Sequence, residues 1–356
     1  MPTTPTRTAL ACLLAAGAFA YNAGAVMAAG DDKRIHIVFP GPGTPIQDAV
    51  NGARPGDTII VRPGRYREAV AVTKPLTIIG SGRDSNGSLL TPPAQPSGDA
   101  CGGTSGFCIA ASPGTAGPVR DVTVKNFEVR GFAGSGVIGV NTQRLTVKHI
   151  EAAGNEEYGI ASFLGQKTVI ASSTATGAEE AGLYIGDSPD AQSQITGNKA
   201  FANGDGILVR DSTGVEIARN TTQDNCAGIL TASTRGASSG GLDIHHNTAD
   251  RNTRACPALE EAPERSGLGI AIAGSHDVRV RHNYVRGNRP TGPTGAAGGI
   301  VVVSTAALGG ADPENVRVTR NTALNNQPAD LVWDLTGTGI VFSDNRNRTS
   351  LPPGLD

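Results

Sequence analysis

Aromatic residues are scarce in this chain of 356 residues: they make up 4% of the sequence, with a single tryptophan. So few rings exclude a wide globular core filled by large side chains. Basic residues (30) do not outnumber acidic ones (32), and this balance argues against a nucleic-acid partner. After residue 30 no stretch is long and apolar enough to span a membrane, so no membrane partner is expected for the mature form.

Methionine is almost absent, and both copies, Met1 and Met27, lie near the start of the chain. In the same region Arg7 precedes an apolar run over residues 9–20, and small residues follow. That pattern predicts a secretory signal peptide over residues 1–30 and a secreted or extracytoplasmic protein.

Cysteine is limited to four residues once that segment is removed: Cys101, Cys108, Cys226 and Cys256. An even number in an exported chain predicts two disulfides, for which three connectivities exist. Pairing between sequence neighbours is favoured, Cys101 with Cys108 and Cys226 with Cys256. Free buried thiols are the alternative.

Glycine, in contrast, is abundant, with 48 copies, and the chain repeats one phrase. Each copy has apolar residues at i and i+2, then asparagine at i+5 and usually at i+10. A strand that begins with glycine follows most second asparagines, as in GLYIG at 182 and GILVR at 206. The first asparagine column is Asn198, Asn220, Asn247, Asn283, Asn321 and Asn345, and the second is Asn203, Asn225, Asn252, Asn288 and Asn326.

Three short strands per repeat, with period-2 apolar alternation, predict an all-β, right-handed parallel β-helix of about ten coils. We expect the asparagines to adopt the left-handed turn conformation and to bond from coil to coil. The sequence is divided into the signal peptide (1–30), a cap with the first coils (31–82), a long decorated loop region (83–118) and the repeats (119–356). The cap includes a helix with Thr44 as N-cap, Pro45 at N1 and Gln47 in a capping box.

The segment IQDAVNGARPGDTIIVRPGRYREAVAVTKPLTIIGSG, residues 46–82, resembles the N-terminal segment of secreted right-handed β-helix proteins of the pectin-lyase-like superfamily. That superfamily includes pectinesterases, pectate lyases, polygalacturonases, alginate epimerases and maturation factors of periplasmic copper enzymes. The resemblance implies the fold and a secreted polysaccharide-active protein. The chain lacks the motifs Asp-Phe-Val-Phe-Gly, Gly-His-Gly and Asp-Pro-His, so no single enzyme family is indicated.

The first candidate site lies on the glycine-led strands, whose outward positions are predicted to include Phe163, Tyr184 and Arg210. Asp187 and Asp211 follow at matching positions, and Glu157, Glu180 and Asp205 precede the strands. By resemblance to lyases, Arg210 is the candidate base, and Asp187 and Asp211 are catalytic residues that hold Ca²⁺. Phe163, Tyr184 and Asp205 are candidate substrate-binding residues. The alternative is a solvated turn with ordinary capping aspartates.

The second candidate site lies on the strands before the first asparagine column. Outward positions there are Asp243 with His245, and Arg279 with Arg281, while His246 and His282 share one column. A His/Asp pair beside arginines suits binding of a uronate carboxylate, so His245, Arg279 and Arg281 are candidate substrate-binding residues. Cross-strand charge pairing is the alternative.

The sequence thus predicts a secreted monomer that acts on or binds an acidic polysaccharide, as a lyase or a hydrolase. A non-catalytic module that binds glycan or protein is a second hypothesis, and a metal-enzyme maturation factor is a third. The lack of methionine beyond residue 27 and the arginines beside the histidines weigh against the third.

Overall fold

The computed structural model describes residues 33–83, 86–96, 98–234, 236–258 and 263–356, and the predicted signal peptide lies outside these ranges. Short strands that occupy the same place in successive coils pair side by side and in parallel. This arrangement is the predicted all-β parallel β-helix. Within the described ranges, no helix has the length and apolar character needed to cross a membrane.

The strands that begin with glycine belong to one sheet of eleven strands, here called the glycine-led sheet. Eleven strands correspond to eleven coils, close to the predicted ten. The strands are Val70–Val72, Phe107–Ile109, Val137–Val140, Tyr158–Phe163, Ala181–Gly186, Asp205–Arg210, Ala227–Ala232, Leu268–Ala273, Gly298–Val303, Leu331–Trp333 and Ser350–Leu351.

A second sheet of twenty strands forms the other two sides of the coil. The first of these sides contains Ile35–Val38, Thr58–Val61, Thr77–Ile79, Thr123–Arg130, Thr146–Ala153, Val169–Ala171, Ser193–Thr196, Val215–Ala218, Gly240–His245, His276–Arg281, Glu314–Thr319 and Val341–Ser343. Residues 123–130 and 146–153 continue onto the second side. The second side adds Gly64–Arg67, Ser88–Thr91, Thr174–Thr176, Lys199–Phe201, Thr221–Gln223, Thr248–Asp250, Tyr284–Arg286 and Thr322–Leu324.

Two short strand pairs lie outside these sheets. Val119–Arg120 pairs in parallel with Thr142–Gln143, and Ala255–Cys256 pairs with Arg265–Ser266 in antiparallel orientation. The predicted loop region 83–118 supplies two strands of the main sheets, so part of it belongs to the coils themselves.

The core is a narrow column of aliphatic side chains. On the glycine-led sheet, Ile160, Leu183, Ile207, Ile229 and Ile270 are in register on successive coils, and each is fully buried. Because every coil repeats the same inward position, the aliphatic residues stack without the large rings that a wider core needs. The low aromatic content of the sequence therefore follows from the narrow width of each coil.

The two asparagine columns form the predicted ladders. In each, the side-chain Nδ2 donates to Oδ1 of the asparagine in the next coil over 2.8–3.1 Å. The same Oδ1 also accepts the backbone N–H of the preceding asparagine, as Asn247 does from Asn220. Both ladders end on a carboxylate: Asn326 donates to Asp330, and Asn345 donates to Asp356. The buried amides are thereby satisfied along the solenoid.

The prediction that the asparagines take the left-handed conformation is wrong, because it is the residue before each asparagine that has a positive φ. In the first column these residues are Gly197, Arg219, His246, His282, Arg320 and Asp344, with φ between 54° and 66°. The turn thus points the preceding side chain outward and leaves the asparagine inside. The corner is exposed, and the residues at this position adopt the left-handed backbone conformation at a moderate cost in free energy.

The N-terminal helix, Pro45–Gly52, covers the end of the column and buries Ile46 and Val50. Proline occupies its first turn as predicted, but the capping box is wrong. Thr44 makes no side-chain capping bond, and the N–H groups of Ile46 and Gln47 donate to the buried carboxylate of Glu68 at 3.0 and 2.8 Å. A residue between two strands, 22 positions away from Ile46, therefore caps the helix.

Both predicted disulfides are present, Cys101–Cys108 and Cys226–Cys256. The second ties the insertion over residues 253–266 to the start of a glycine-led strand. Disulfides are typical of proteins that fold outside the reducing cytoplasm.

Candidate functional site

The glycine-led face consists of the outward side chains of the glycine-led strands between residues 158 and 232. Ile160, Leu183 and Ile207 point inward, as does the glycine before each of them, and the residues on either side of these inward pairs point outward. The outward side chains over the three central coils are Tyr158, Ala161, Phe163, Ala181, Tyr184, Asp205, Leu208 and Arg210. Rings, a guanidinium and carboxyl groups thus share one face.

Three rings form a cluster in the centre of this face. The ring centroid of Tyr184 lies 4.8 Å from that of Tyr158 and 4.7 Å from that of Phe163, and the Arg210 guanidinium lies 5.7 Å from the Tyr184 centroid. A Cβ at Gly186 would lie 1.8 Å from the Tyr184 hydroxyl, so only glycine allows the ring to lie over this strand. Tyr184 is fully buried, which corrects the expectation that it lies open to a substrate, while Phe163 and Arg210 remain half-buried.

Asp187 and Asp211 occupy equivalent corner positions, with φ of 53° and 50°, directly after paired residues of neighbouring strands. The Asp211 carboxylate accepts bonds from the Thr234 N–H at 2.7 Å and from the Thr234 hydroxyl at 2.6 Å. Next along the chain, Ser188 N–H donates to the Ser212 hydroxyl over 3.1 Å, in a serine ladder that the sequence analysis missed. The two aspartates therefore stand at a structural corner.

Metal ligation at this corner stays a prediction. In the part of the chain that the structure describes, the only group of three acidic, cysteine or histidine side chains with closely spaced ligand atoms is Asp99, Cys101 and Cys108, and its cysteines form a disulfide. Asp187 and Asp211 offer two carboxylates, a donor type that suits Ca²⁺. Substrate oxygens or water would have to complete such a site.

A row of acidic residues borders the other side of the glycine-led face. Glu180 N–H donates to Glu157 O at 3.1 Å, which places these glutamates on successive coils, and the Tyr158 hydroxyl donates to Glu180 Oε2. Burial, together with the charges of Glu180 and Glu156, raises the pKa of Glu157. Burial also raises the pKa of Tyr158, as does its bond to Glu180. This side of the face thus holds a carboxyl group with a raised pKa next to a hydrogen-bonded Tyr–Glu pair.

Asp205 is not open to substrate, contrary to its sequence-based assignment. It is 1% exposed, and its Oδ1 accepts from Arg265 Nε at 3.0 Å. Arg265 comes from the insertion that the Cys226–Cys256 disulfide also ties down. The disulfide and the ion pair thus attach Cys256 and Arg265, which lie on either side of residues 259–262, to the glycine-led sheet. The sequence carried no signal for the partner, which lies 60 residues away.

The arginine–histidine edge is the second candidate surface. We define it by Arg219, His246, His282 and Arg320 at the corner before the first ladder, and by Arg279, Arg281 and Arg317 on the adjacent strands. The predicted register is confirmed, since Glu216, Asp243, Arg279 and Arg317 follow one another on successive coils.

Charge pairing organises part of this edge. Arg281 binds Asp243 through two bonds of 3.0 and 2.9 Å, whereas Arg279 lies 3.8 Å from the same carboxylate. Although burial raises the pKa of Asp243, the Arg281 bonds hold it below its usual value. His245 is only 7% exposed and bonds Glu216 at 3.1 Å and His246 at 2.9 Å, so it is not the open substrate contact expected from the sequence.

Comparison with known proteins bears on this architecture. The family model described as "Right handed beta helix region" matches residues 103–249 and 135–309. The chain belongs to the right-handed β-helix family. The match confirms the predicted handedness. No match is found among curated proteins.

Several solved structures resemble this β-helix protein. The mannuronan C-5 epimerase AlgE4 A-module of Azotobacter vinelandii has a TM-score of 0.61 at 18% identity, over 84% of this chain and 88% of that one. Pectate lyase Pel9A has a TM-score of 0.54 at 13% identity, over 89% and 79%. The catalytic domain of a GH87 α-1,3-glucanase has a TM-score of 0.61 at 16% identity, over 88% and 65%. At these identities the likeness shows the shared fold.

Proposed function

We propose that this β-helix protein is an enzyme that acts on an acidic polysaccharide bound along the glycine-led face. The observation that carries the proposal is the convergence of Arg210, three rings and the Tyr158–Glu180 bond on three successive coils. An extended chain of sugars suits a face whose groups repeat from coil to coil. Solved structures of similar fold named for mannuronan and for pectate support the choice of an acidic glycan.

The reaction in this proposal begins with removal of the proton next to a uronate carboxylate. Arg210 holds that carboxylate, since a guanidinium keeps its own proton and binds carboxylates with two parallel bonds. This role replaces the base assigned to Arg210 by resemblance. The Tyr158–Glu180 pair accepts the proton, and Glu157, whose raised pKa retains its proton to higher pH, donates one to the leaving oxygen. The carbon–hydrogen and carbon–oxygen bonds break as a carbon–carbon double bond forms.

Incubation of the protein with polymannuronate and with polygalacturonate tests the proposal. An ultraviolet-absorbing unsaturated product should appear, because elimination leaves a carbon–carbon double bond next to the carboxylate. Arg210→Ala should lower turnover at least tenfold by loss of the bidentate contact, with little change in stability because Arg210 lies outside the core. Lys148→Ala, on another sheet, is the matched control and should leave turnover unchanged.

A glycan-binding module without turnover is the second candidate function, favoured by the burial of Tyr184 and Asp205. If no acidic glycan yields an unsaturated product and Arg210→Ala only weakens binding, this second function is correct. Loss of activity in both Arg210→Ala and Lys148→Ala would point to a general defect rather than to the proposed face.

Calcium binding by Asp187 and Asp211 remains part of the proposal. Ca²⁺ should raise the melting temperature measured by calorimetry, because a ligand bound only by the native state stabilises it. Asp187→Asn removes one anionic ligand and should abolish that increase. Asp190→Asn, at an exposed neighbouring position, is the control. A melting temperature insensitive to Ca²⁺ in the unaltered protein contradicts this role for the two aspartates.

A further inference from the structure

We propose that the arginine–histidine edge is a second binding surface, independent of the glycine-led face, for an extended anionic polysaccharide that lies along the solenoid axis. We further propose that this surface binds more tightly as pH falls through the histidine range. The two surfaces belong to different sides of the coil, so the inference does not depend on the enzymatic proposal.

The corner residues supply a line of cations. Arg219, His246, His282 and Arg320 occupy the same turn position on four successive coils, and all four are exposed. The rings of His246 and His282 stack with centroids 5.3 Å apart and an interplanar angle of 21°. Equivalent groups on adjacent coils are about 4.8 Å apart, as paired strands are. A regular line of this kind matches a polymer with a charge on each unit better than it matches a compact anion.

Much of this positive charge has no counter-ion on the protein. Within the described ranges, the guanidinium groups of Arg219, Arg317 and Arg320 make no hydrogen bond or ion pair. Arg279 stands 3.8 Å from an Asp243 carboxylate that Arg281 already binds, and its side chain is 66% exposed. Like charges in neighbouring coils repel unless an anion lies between them. A chain of carboxylates or sulfates would neutralise the row.

The backbone at the corner supports a role for these side chains. A residue other than glycine is held at positive φ with backbone strain that glycine would avoid. Gly197 occupies the same position one coil before Arg219, so the turn accepts glycine. The chain nonetheless places arginine or histidine on the four coils that follow.

The histidines give the surface its pH dependence. His246 faces His245, the stacked His282 ring, Arg281 and Arg219, while the nearby carboxylates of Glu216 and Asp243 are bound by His245 and Arg281. Burial and these positive neighbours lower the pKa of His246. A bound polyanion offsets the repulsion and raises that pKa, so binding takes up protons. Affinity therefore rises as pH falls.

Titration calorimetry with polygalacturonate and with a sulfated glycosaminoglycan tests the proposal, and neutral dextran is the control ligand. All measurements use the full mature chain carrying Arg210→Ala, which removes the cation of the glycine-led face. The double variant Arg219→Gly with Arg320→Gly should bind the two anionic glycans at least tenfold more weakly, and glycine fits the left-handed turn at both positions. The control double variant, Lys125→Ala with Lys148→Ala, also loses two charges from successive coils. Its affinity for the same glycans should change by less than threefold.

The pH dependence is tested with His246→Asn and His282→Asn, since asparagine tolerates the turn conformation. Affinity of the parent should rise several-fold from about pH 7.5 to about pH 6, and this rise should vanish in the double variant. Unchanged affinity after both arginine substitutions would overturn the proposal. Equal affinity for double-stranded DNA, with a steep dependence on salt, would overturn the assignment to a polysaccharide.

Discussion

Replacement of Arg265 by alanine is expected to lower the free energy of unfolding by about 3–5 kcal/mol, because it leaves the Asp205 carboxylate buried without its cation. Both side chains are almost completely buried, and Asp205 Oδ1 accepts from Arg265 Nε at 3.0 Å. Urea unfolding of the protein and of the variant measures the change. A loss below about 1 kcal/mol would show that water reaches Asp205 once the arginine is removed.

The chain itself offers the control for this experiment. In the strands on either side of Asp205, Ala181 and Ala227 occupy the paired position. The double variant Asp205→Ala with Arg265→Ala therefore restores the residue that neighbouring coils carry, and it removes both charges. It should be more stable than Arg265→Ala alone. If the two variants unfold alike, the cost comes from lost packing of the arginine side chain instead of from an unpaired charge.

Replacement of Asn247 by alanine is expected to cost about 3 kcal/mol, since several buried groups lose their partners together. Its Oδ1 accepts from the backbone and side-chain nitrogens of Asn220, and its Nδ2 donates to Ile217 O and to Asn283 Oδ1. Thermal and urea unfolding give the change in stability. The effect should be confined to the coils around residue 247, because a solenoid contacts only its neighbouring repeats.

Asn155 provides the comparison. It accepts from Phe132 N–H and donates to Val129 O, but no asparagine side chain bonds it from the next coil. Asn155→Ala should therefore cost less than Asn247→Ala. Equal costs at the two positions would mean that coil-to-coil amide bonds add little beyond the backbone bonds.

The sequence was sufficient for the fold because the fold is itself periodic. A residue such as Ile207 is buried when another aliphatic residue occupies the same position in the next coil. That repetition is visible in the sequence. The left-handed corner was misassigned to the asparagines, yet the signal was present. Gly197 and Gly287 precede ladder asparagines, and glycine is the residue that adopts positive φ without strain.

The candidate site was less predictable because its decisive contacts are not periodic. Outward positions followed from alternation, so Phe163, Tyr184 and Arg210 were placed on one face. The burial of Tyr184 was not predictable, because it depends on how the rings of Tyr158 and Phe163 pack against it. Arg265 reaches Asp205 from an insertion that has no counterpart in other coils. For the same reason the helix cap supplied by Glu68 could not be read from the helix sequence.

The ladders described above have a direction, and this direction decides the chemistry of their last rungs. Each ladder asparagine donates its backbone N–H and its Nδ2 to the following rung, so the last rung must accept without a side-chain donor of its own. Asp330 and Asp356 satisfy that requirement, since an ionised carboxylate has no proton to pass on. An aspartate is therefore the rung at which the relay of amide donors stops, and this sets it apart from every asparagine before it in the same column.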